Sequence, residues 1–175
     1  MHRPQHARRR RRDDGFTLLE LLVVVVIIGV LAAALALSVG GGSERQLANA
    51  GERFHALLGH ACDEAELGGR EIGVVVGSGG YAFARLDGSD WRDFGNDGEL
   101  RPRSWPAGVR IEFTREGRPL ALATPDHGTP QLVCFSSGEL TPFSLVLSLG
   151  DAARRYRLRG ADDGSVQVDR IGPAP

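Results

Sequence analysis

Gly15-Phe16-Thr17-Leu18-Leu19-Glu20 opens an apolar run in which no residue from Leu21 to Ser38 is ionisable. Five arginines, Arg8 to Arg12, stand just before it. Phe16 to Val39 is 24 residues, rich in Leu, Val, Ile and Ala and without proline, which predicts a helix. At about 1.5 Å per residue such a helix reaches roughly 36 Å, enough to cross a bilayer. Arginines before the run and none just inside it put the N-terminus on the cytoplasmic side and everything after Val39 outside. Glu20 is the one charge in the block. A carboxylate at bilayer depth costs about 2.5 kcal/mol or more, so Glu20 marks a functional position and needs a partner.

The stretch resembles the class III, type IV pilin-like signal: a basic leader, a glycine, then Phe-Thr-Leu-Leu-Glu opening a hydrophobic helix. In that family a dedicated membrane peptidase cuts after the glycine and methylates the new N-terminus. The resemblance implies that Gly15 is the last leader residue and that Phe16 becomes the methylated first residue. Glu20 then gains a counter-charge in the new amine, its own or that of a neighbouring subunit in a filament. Two plainer readings share these residues. One is a secretory signal peptide cleaved near Ala34-Leu35-Ala36, against which the length of the run and its early acid speak. The other is an anchor that is never cleaved.

The chain has 175 residues, and the part beyond the apolar block is long enough for one modest core. Its net charge is −1, to which the first 15 residues, with six Arg and two Asp, contribute +4 and the remainder −5. That remainder is acidic, so bulk attraction to nucleic acid is not expected. Cys62 and Cys134 fall in the part expected outside the membrane, where disulfides are permitted. The alternative is two small buried hydrophobes.

Gly40-Gly41-Gly42 offers a flexible break. Ser43 can then cap a second helix, with Gln46 three residues on as a capping box wants. Leu47, Ala50, Phe54, Leu57, Leu58, Ala61, Cys62 and Ala65 recur at helical spacing and form one face. Gly68-Gly69 stops that helix. Strands are predicted at 71–76 and 81–86, joined by the Gly77-Ser78-Gly79-Gly80 turn, and at 109–114, 131–135, 143–149, 154–159 and 165–171. Residues 87–106 read as loop with a short strand near Trp91 to Phe94, and 116–130 as a loop with three prolines. A helix first and antiparallel strands after it give an α+β fold. The expected organisation is a cleaved leader (1–15), a transmembrane helix (16–39), an amphipathic periplasmic helix (40–69) and an antiparallel sheet domain (70–175).

A second stretch, Phe135-Ser136-Ser137-Gly138-Glu139-Leu140-Thr141-Pro142-Phe143, resembles the strand–turn–strand element of the GspH/FimT pseudopilin family, most closely its type II secretion H-type members. Asp63-Glu64-Ala65 to Gly69-Arg70 and Arg101-Pro102 to Trp105-Pro106 fit that family more loosely. The long arginine run, the two cysteines and the triple glycine depart from its pattern without removing a motif residue. The resemblance implies a pilin-like fold and a minor pseudopilin of type II secretion, at or near the tip of a periplasmic pseudopilus that drives folded proteins across the outer membrane. Implied partners are the prepilin peptidase, the major and other minor pseudopilins, the inner membrane and secreted substrates. Of the turn residues Ser137, Gly138, Glu139 and Pro142, glycine supplies positive φ and proline ends the ladder.

Other candidates read more plainly. His55 and His60 point about 140° apart on a helix, which does not suit a metal pair. Asn96-Asp97-Gly98-Glu99 and Asp162-Asp163-Gly164 lack full calcium-loop spacing and read as turns. Arg155, Arg157 and Arg159 share a strand face. Such a stripe can bind DNA phosphate, as in a FimT-like minor pilin of a type IV pilus or DNA-uptake system, but solvated edge-strand arginines look the same. No nucleophile–base arrangement or phosphate loop is visible, so neither an enzyme nor a cofactor or metal is expected. A monomeric anchored periplasmic binding protein or enzyme is the remaining alternative.

Overall fold

Among the described residues the helical and alternating periodicities resolve into two helices followed by ten strands. The computed structural model describes residues 17–39, 42–123, 129–150 and 155–172, with the backbone only at 34–39. The chain divides into two units, Met1–Gly40 and Gly41–Pro175. In the first unit α1 spans Leu18–Val39.

The second unit begins with α2, Gly42–Gly68, so that Ser43 lies inside the first turn and is not the cap expected of it. Leu47, Ala50, Gly51, Phe54, Leu58, Ala61 and Ala65 are buried along one face of α2. Steps of three and four keep them in register with the 3.6-residue turn.

The strands are β1 Ile72–Val76, β2 Gly80–Asp87, β3 Asp90–Asp93, β4 Arg103–Ser104, β5 Val109–Arg115, β6 Arg118–Pro119, β7 Leu132–Cys134, β8 Phe143–Leu149, β9 Arg155–Gly160 and β10 Val166–Ile171. They form two five-stranded sheets where the sequence suggested one. The first has the order β3-β2-β1-β7, with β4 also on β2; the second has the order β10-β9-β8-β5-β6. Every paired strand runs antiparallel to its neighbour. The face of α2 packs against β8, β9 and β10 of the second sheet and β1 and β7 of the first, closing one continuous core.

Expected and observed strands agree to within a residue or so, but two short strands went unseen. β4 lies in the stretch expected as loop. It pairs with β2 because Gly80 has no side chain to block the Arg103 carbonyl, which occupies the space a Cβ would take. That pairing carries Leu100 and Trp105 into the core. There Trp105 Nε1 donates to the Gly77 carbonyl at 3.0 Å, and its ring lies 4.6 Å from Tyr81 and 5.7 Å from Phe54. β6 is the other addition, a two-residue strand returning on β5, beyond which the Leu120 N–H donates to the Phe113 carbonyl at 2.8 Å.

Cys62 of α2 and Cys134 of β7 are joined in a disulfide with their Cα atoms 4.9 Å apart, inside the usual range. The bond ties the helix to the edge of the first sheet.

Candidate functional site

The two positions expected to be cut and methylated, Gly15 and Phe16, lie outside the described residues. The described chain starts at Thr17, whose Oγ1 and carbonyl both accept from the Glu20 N–H, at 3.3 and 3.0 Å. Thr17-Leu18-Leu19-Glu20 thus has the sequence and half the hydrogen bonds of a capping box. Sequence reasoning missed this, although a threonine three residues before a glutamate at a helix start is its usual signal. Thr17 thus holds the backbone at Glu20, and a carboxylate at a helix N-terminus complements the backbone dipole.

Every described side chain of α1, from Leu18 to Ala33, is exposed, with large apolar groups from 41% (Val24) to 82% (Leu18) accessible. A helix that is apolar all round belongs in a membrane or the centre of a bundle. Among residues described with side chains, no helix is long and apolar enough to cross a membrane. The α1 backbone, which continues to Val39 over 22 residues, reaches roughly 33 Å at 1.5 Å per residue.

The second recognised element, residues 135–143, carries the chain from β7 in the first sheet to β8 in the second. Phe135 N–H donates to the Glu139 carbonyl at 2.9 Å and Gly138 N–H to the Phe135 carbonyl at 3.0 Å. Gly138 has φ +89°, as expected of it. Leu140 is buried and forms a bridge to Cys134, while its N–H donates to the Asp162 carbonyl in the β9–β10 turn. Thr141 Oγ1 accepts from the Val133 N–H at 3.1 Å. Pro142, without an N–H, stands immediately before β8. The motif is thus a junction locked to both sheets. Among the described residues Ser137 donates only to Glu139 within the turn, and both side chains are exposed.

His60 sits on α2 with Nε2 3.2 Å from Glu99 and 3.9 Å from Glu64, in surface ion pairs when protonated. His55 is not among these partners. Among the described residues no group of three or more His, Cys, Asp or Glu could hold a metal ion. Asp162-Asp163-Gly164 is a turn: Asp163 Oδ1 accepts from the Ser165 N–H at 2.9 Å, and hydrogen bonds from Ser165 hold its carboxyl below the usual range. Arg155, Arg157 and Arg159 do share one face of β9, because Tyr156 and Leu158 between them are buried against the core.

Comparison with known proteins supports the same reading. Residues 10–36 match the prokaryotic N-terminal methylation motif, and residues 50–164 match the type II transport protein GspH family. Type II secretion system protein H of Pseudomonas aeruginosa is 39% identical over 130 residues, covering 68% of this chain and 73% of its own. Its counterpart from Aeromonas hydrophila is 33% identical over 156 residues, covering 82% of each. The fold is similar to that of the minor pseudopilin EpsH from the type 2 secretion system of Vibrio cholerae. There the TM-score is 0.60 at 22% identity, over 74% of this chain and 99% of that one. It is also similar to the solution structure of E. coli GspH, with TM-score 0.54 at 23% identity, over 75% and 92%. With a family model spanning most of the chain and relatives above 30% identity, this chain belongs to the type II transport protein GspH family, the H proteins of type II secretion.

Proposed function

We propose that this chain is cut after Gly15 by a prepilin peptidase, methylated at Phe16, and then assembled at or near the tip of a periplasmic pseudopilus. Before assembly, α1 holds it in the inner membrane with residues beyond Val39 in the periplasm. The observation that carries this reading is α1 itself, apolar on every side, with a single acid in its first turn and a matched methylation motif across it. Such a helix needs lipid, or an apolar bundle of like helices, around it.

Glu20 has two duties in this reading. Its backbone is fixed by Thr17, and its carboxylate pairs with the methylated amine of a neighbouring Phe16, which sets the stagger between helices. The pair forms where lipid and helices exclude water, so an unmatched carboxylate is costly and a misregistered subunit is rejected. The β domain supplies the specific contacts to neighbouring pseudopilins. The role is structural, with no reaction assigned to the chain.

The test is the mass and N-terminal residue of the protein purified from membranes of its own host. A chain starting at methylated Phe16 is expected. A chain starting at Met1, or near Leu37, would overturn processing by the pilin peptidase and with it the filament role.

A further inference from the structure

The second sheet has two unlike faces. Tyr156 and Leu158 of β9 point to α2, and a Cβ on Gly51 of α2 would meet the Tyr156 ring at 2.7 Å. Alternate strand residues point the other way, so Arg155, Arg157 and Arg159 lie on the opposite face. The register places Val146 of β8 on one side of Arg157 and Asp169 of β10 on the other. Arg110 and Glu112 of β5 lie on this face too, Glu112 in register with Val146.

The charges on this face are ordered. Arg155 Nη1 lies 3.9 Å from Glu112, and Arg159 Nη2 donates to Asp169 Oδ2. Both acids of the face are thereby engaged. Arg157, between the two pairs, has no ion pair or side-chain hydrogen bond among the described residues. Beside it Val146 is only 8% exposed. At one end of the face Thr114, Glu116, Ser144, Arg159 and Gln167 line an open cleft of about 370 Å³, next to Pro142 of the family turn. The hydroxyls and the amide there can donate to a carboxylate, while Glu116 restricts where one can sit, so the free positive charge of the face is that of Arg157.

We infer that this face, centred on Arg157 and the adjoining cleft, docks against an acidic surface of a neighbouring subunit; the inference rests on the filament role proposed above. Four arginines against three acids, counting Glu116 of the cleft, leave it slightly positive in a chain whose part beyond the leader carries −5, so charge complementarity selects an acidic partner. Glu112 and Asp169 interrupt the positive charge and would repel a uniform polyanion, which favours a protein surface over nucleic acid or lipid headgroups. The paired arginines are held in place by those acids, and a fixed charge pattern on a sheet selects one partner and one register. That suits a subunit met in a constant orientation better than varied cargo.

The experiment places a photo-crosslinking residue at position 167 of the full chain in its host, with a second at position 23 of α1 as the filament control. Position 167 is expected to crosslink to another pseudopilin through a peptide rich in Asp and Glu. Arg157→Glu should lower that yield roughly tenfold or more, because like charges meet at the contact. Arg157→Gln, which spares Asp169 a like-charged neighbour, should lower it less and guards against misfolding of the Glu variant. Yield in isolated membranes should also fall on going from about 0.15 to 1 M salt. Crosslinks at 167 to cargo, nucleic acid or lipid alone, or to no partner, overturn the inference, as do crosslinks indifferent to both Arg157 variants. Loss at 167 with position 23 still crosslinking overturns this surface only. Absence of subunit crosslinks at both positions overturns the filament role and the inference together.

Discussion

Opening the Cys62–Cys134 bond is the perturbation whose size follows most directly from the structure. The bond closes a loop with a sequence separation of 72 residues, between the C-terminal half of α2 and the edge strand β7. Both sulfurs lie in or against the core, so after reduction they remain as small apolar groups and few native contacts change. The effect then lies mainly in the unfolded chain, which regains the freedom the loop had removed. Loop-closure entropy for a ring of that size is worth about 4 kcal/mol at 25 °C. For a domain of this length that corresponds to a fall in Tm of about 15 °C. The assay is chemical and thermal unfolding, by circular dichroism, of the oxidised protein, the reduced protein and the Cys62→Ala, Cys134→Ala double variant. The oxidised form should also show a smaller denaturant m-value, because its unfolded state stays more compact. A loss below about 1 kcal/mol on reduction would refute the entropic reasoning. Two free thiols in protein taken from the periplasmic side of its host would refute the bond.

Three further outcomes are expected. Two glycines of α2 should respond to alanine with opposite signs. A Cβ at Gly59 meets nothing within 4 Å, so Gly59→Ala should stabilise by up to about 1 kcal/mol. A Cβ at Gly51 would stand 2.7 Å from the buried Tyr156 ring, so overpacking of about 1–3 kcal/mol should exceed that gain, and thermal melts of the two variants decide. Tyr81 Oη is buried and no group among the described residues meets hydrogen-bond geometry with it, although Arg53 and Arg103 lie near; burial outweighs their opposite pull and raises its pKa. The fold favours the neutral phenol, so its contribution is complete below about pH 10 and is lost as pH rises from there through the higher folded value. Phenolate absorbance should therefore appear late in a pH titration, and Tyr81→Phe should leave stability unchanged or raise it, since no bond is lost. Glu20→Ala should leave the chain cleaved and membrane-bound but impair assembly. Glu20→Gln keeps the size and polarity of the side chain but removes its charge, and the Thr17 bond to the residue-20 N–H is available to either variant. Secretion at the wild-type level with Glu20→Gln would exclude the charge pair, and impairment equal to Glu20→Ala would support it.

How far the sequence reads depends on whether the forces at a position are local. Phe16 to Val39 declares a helix by composition alone, and α2 declares its buried face by the spacing of Leu47, Phe54, Leu58 and Ala65. The strands of the second sheet show in the alternation of Val109, Ile111 and Phe113 and in the apolar density of β8. The proposed processing site at Gly15-Phe16 is equally legible, because its signal is a short run of consecutive residues. β4 was not legible: Arg103 and Ser104 have no strand signal of their own and pair only because Gly80, more than twenty residues earlier, leaves room for a carbonyl.

The sequence by itself determined the two helices and the longer strands in their order, the placement of charge, and the family, since each follows from neighbours along the chain. Only the tertiary structure decided that the strands divide into two sheets, that Cys62 meets Cys134, and that the 135–143 element is the junction between the sheets. It also decided that Arg157 stands without a partner between two engaged arginines among the described residues. These outcomes depend on which residues distant in sequence are brought to within a few ångströms, and that is fixed by the packing of α2 against both sheets at once.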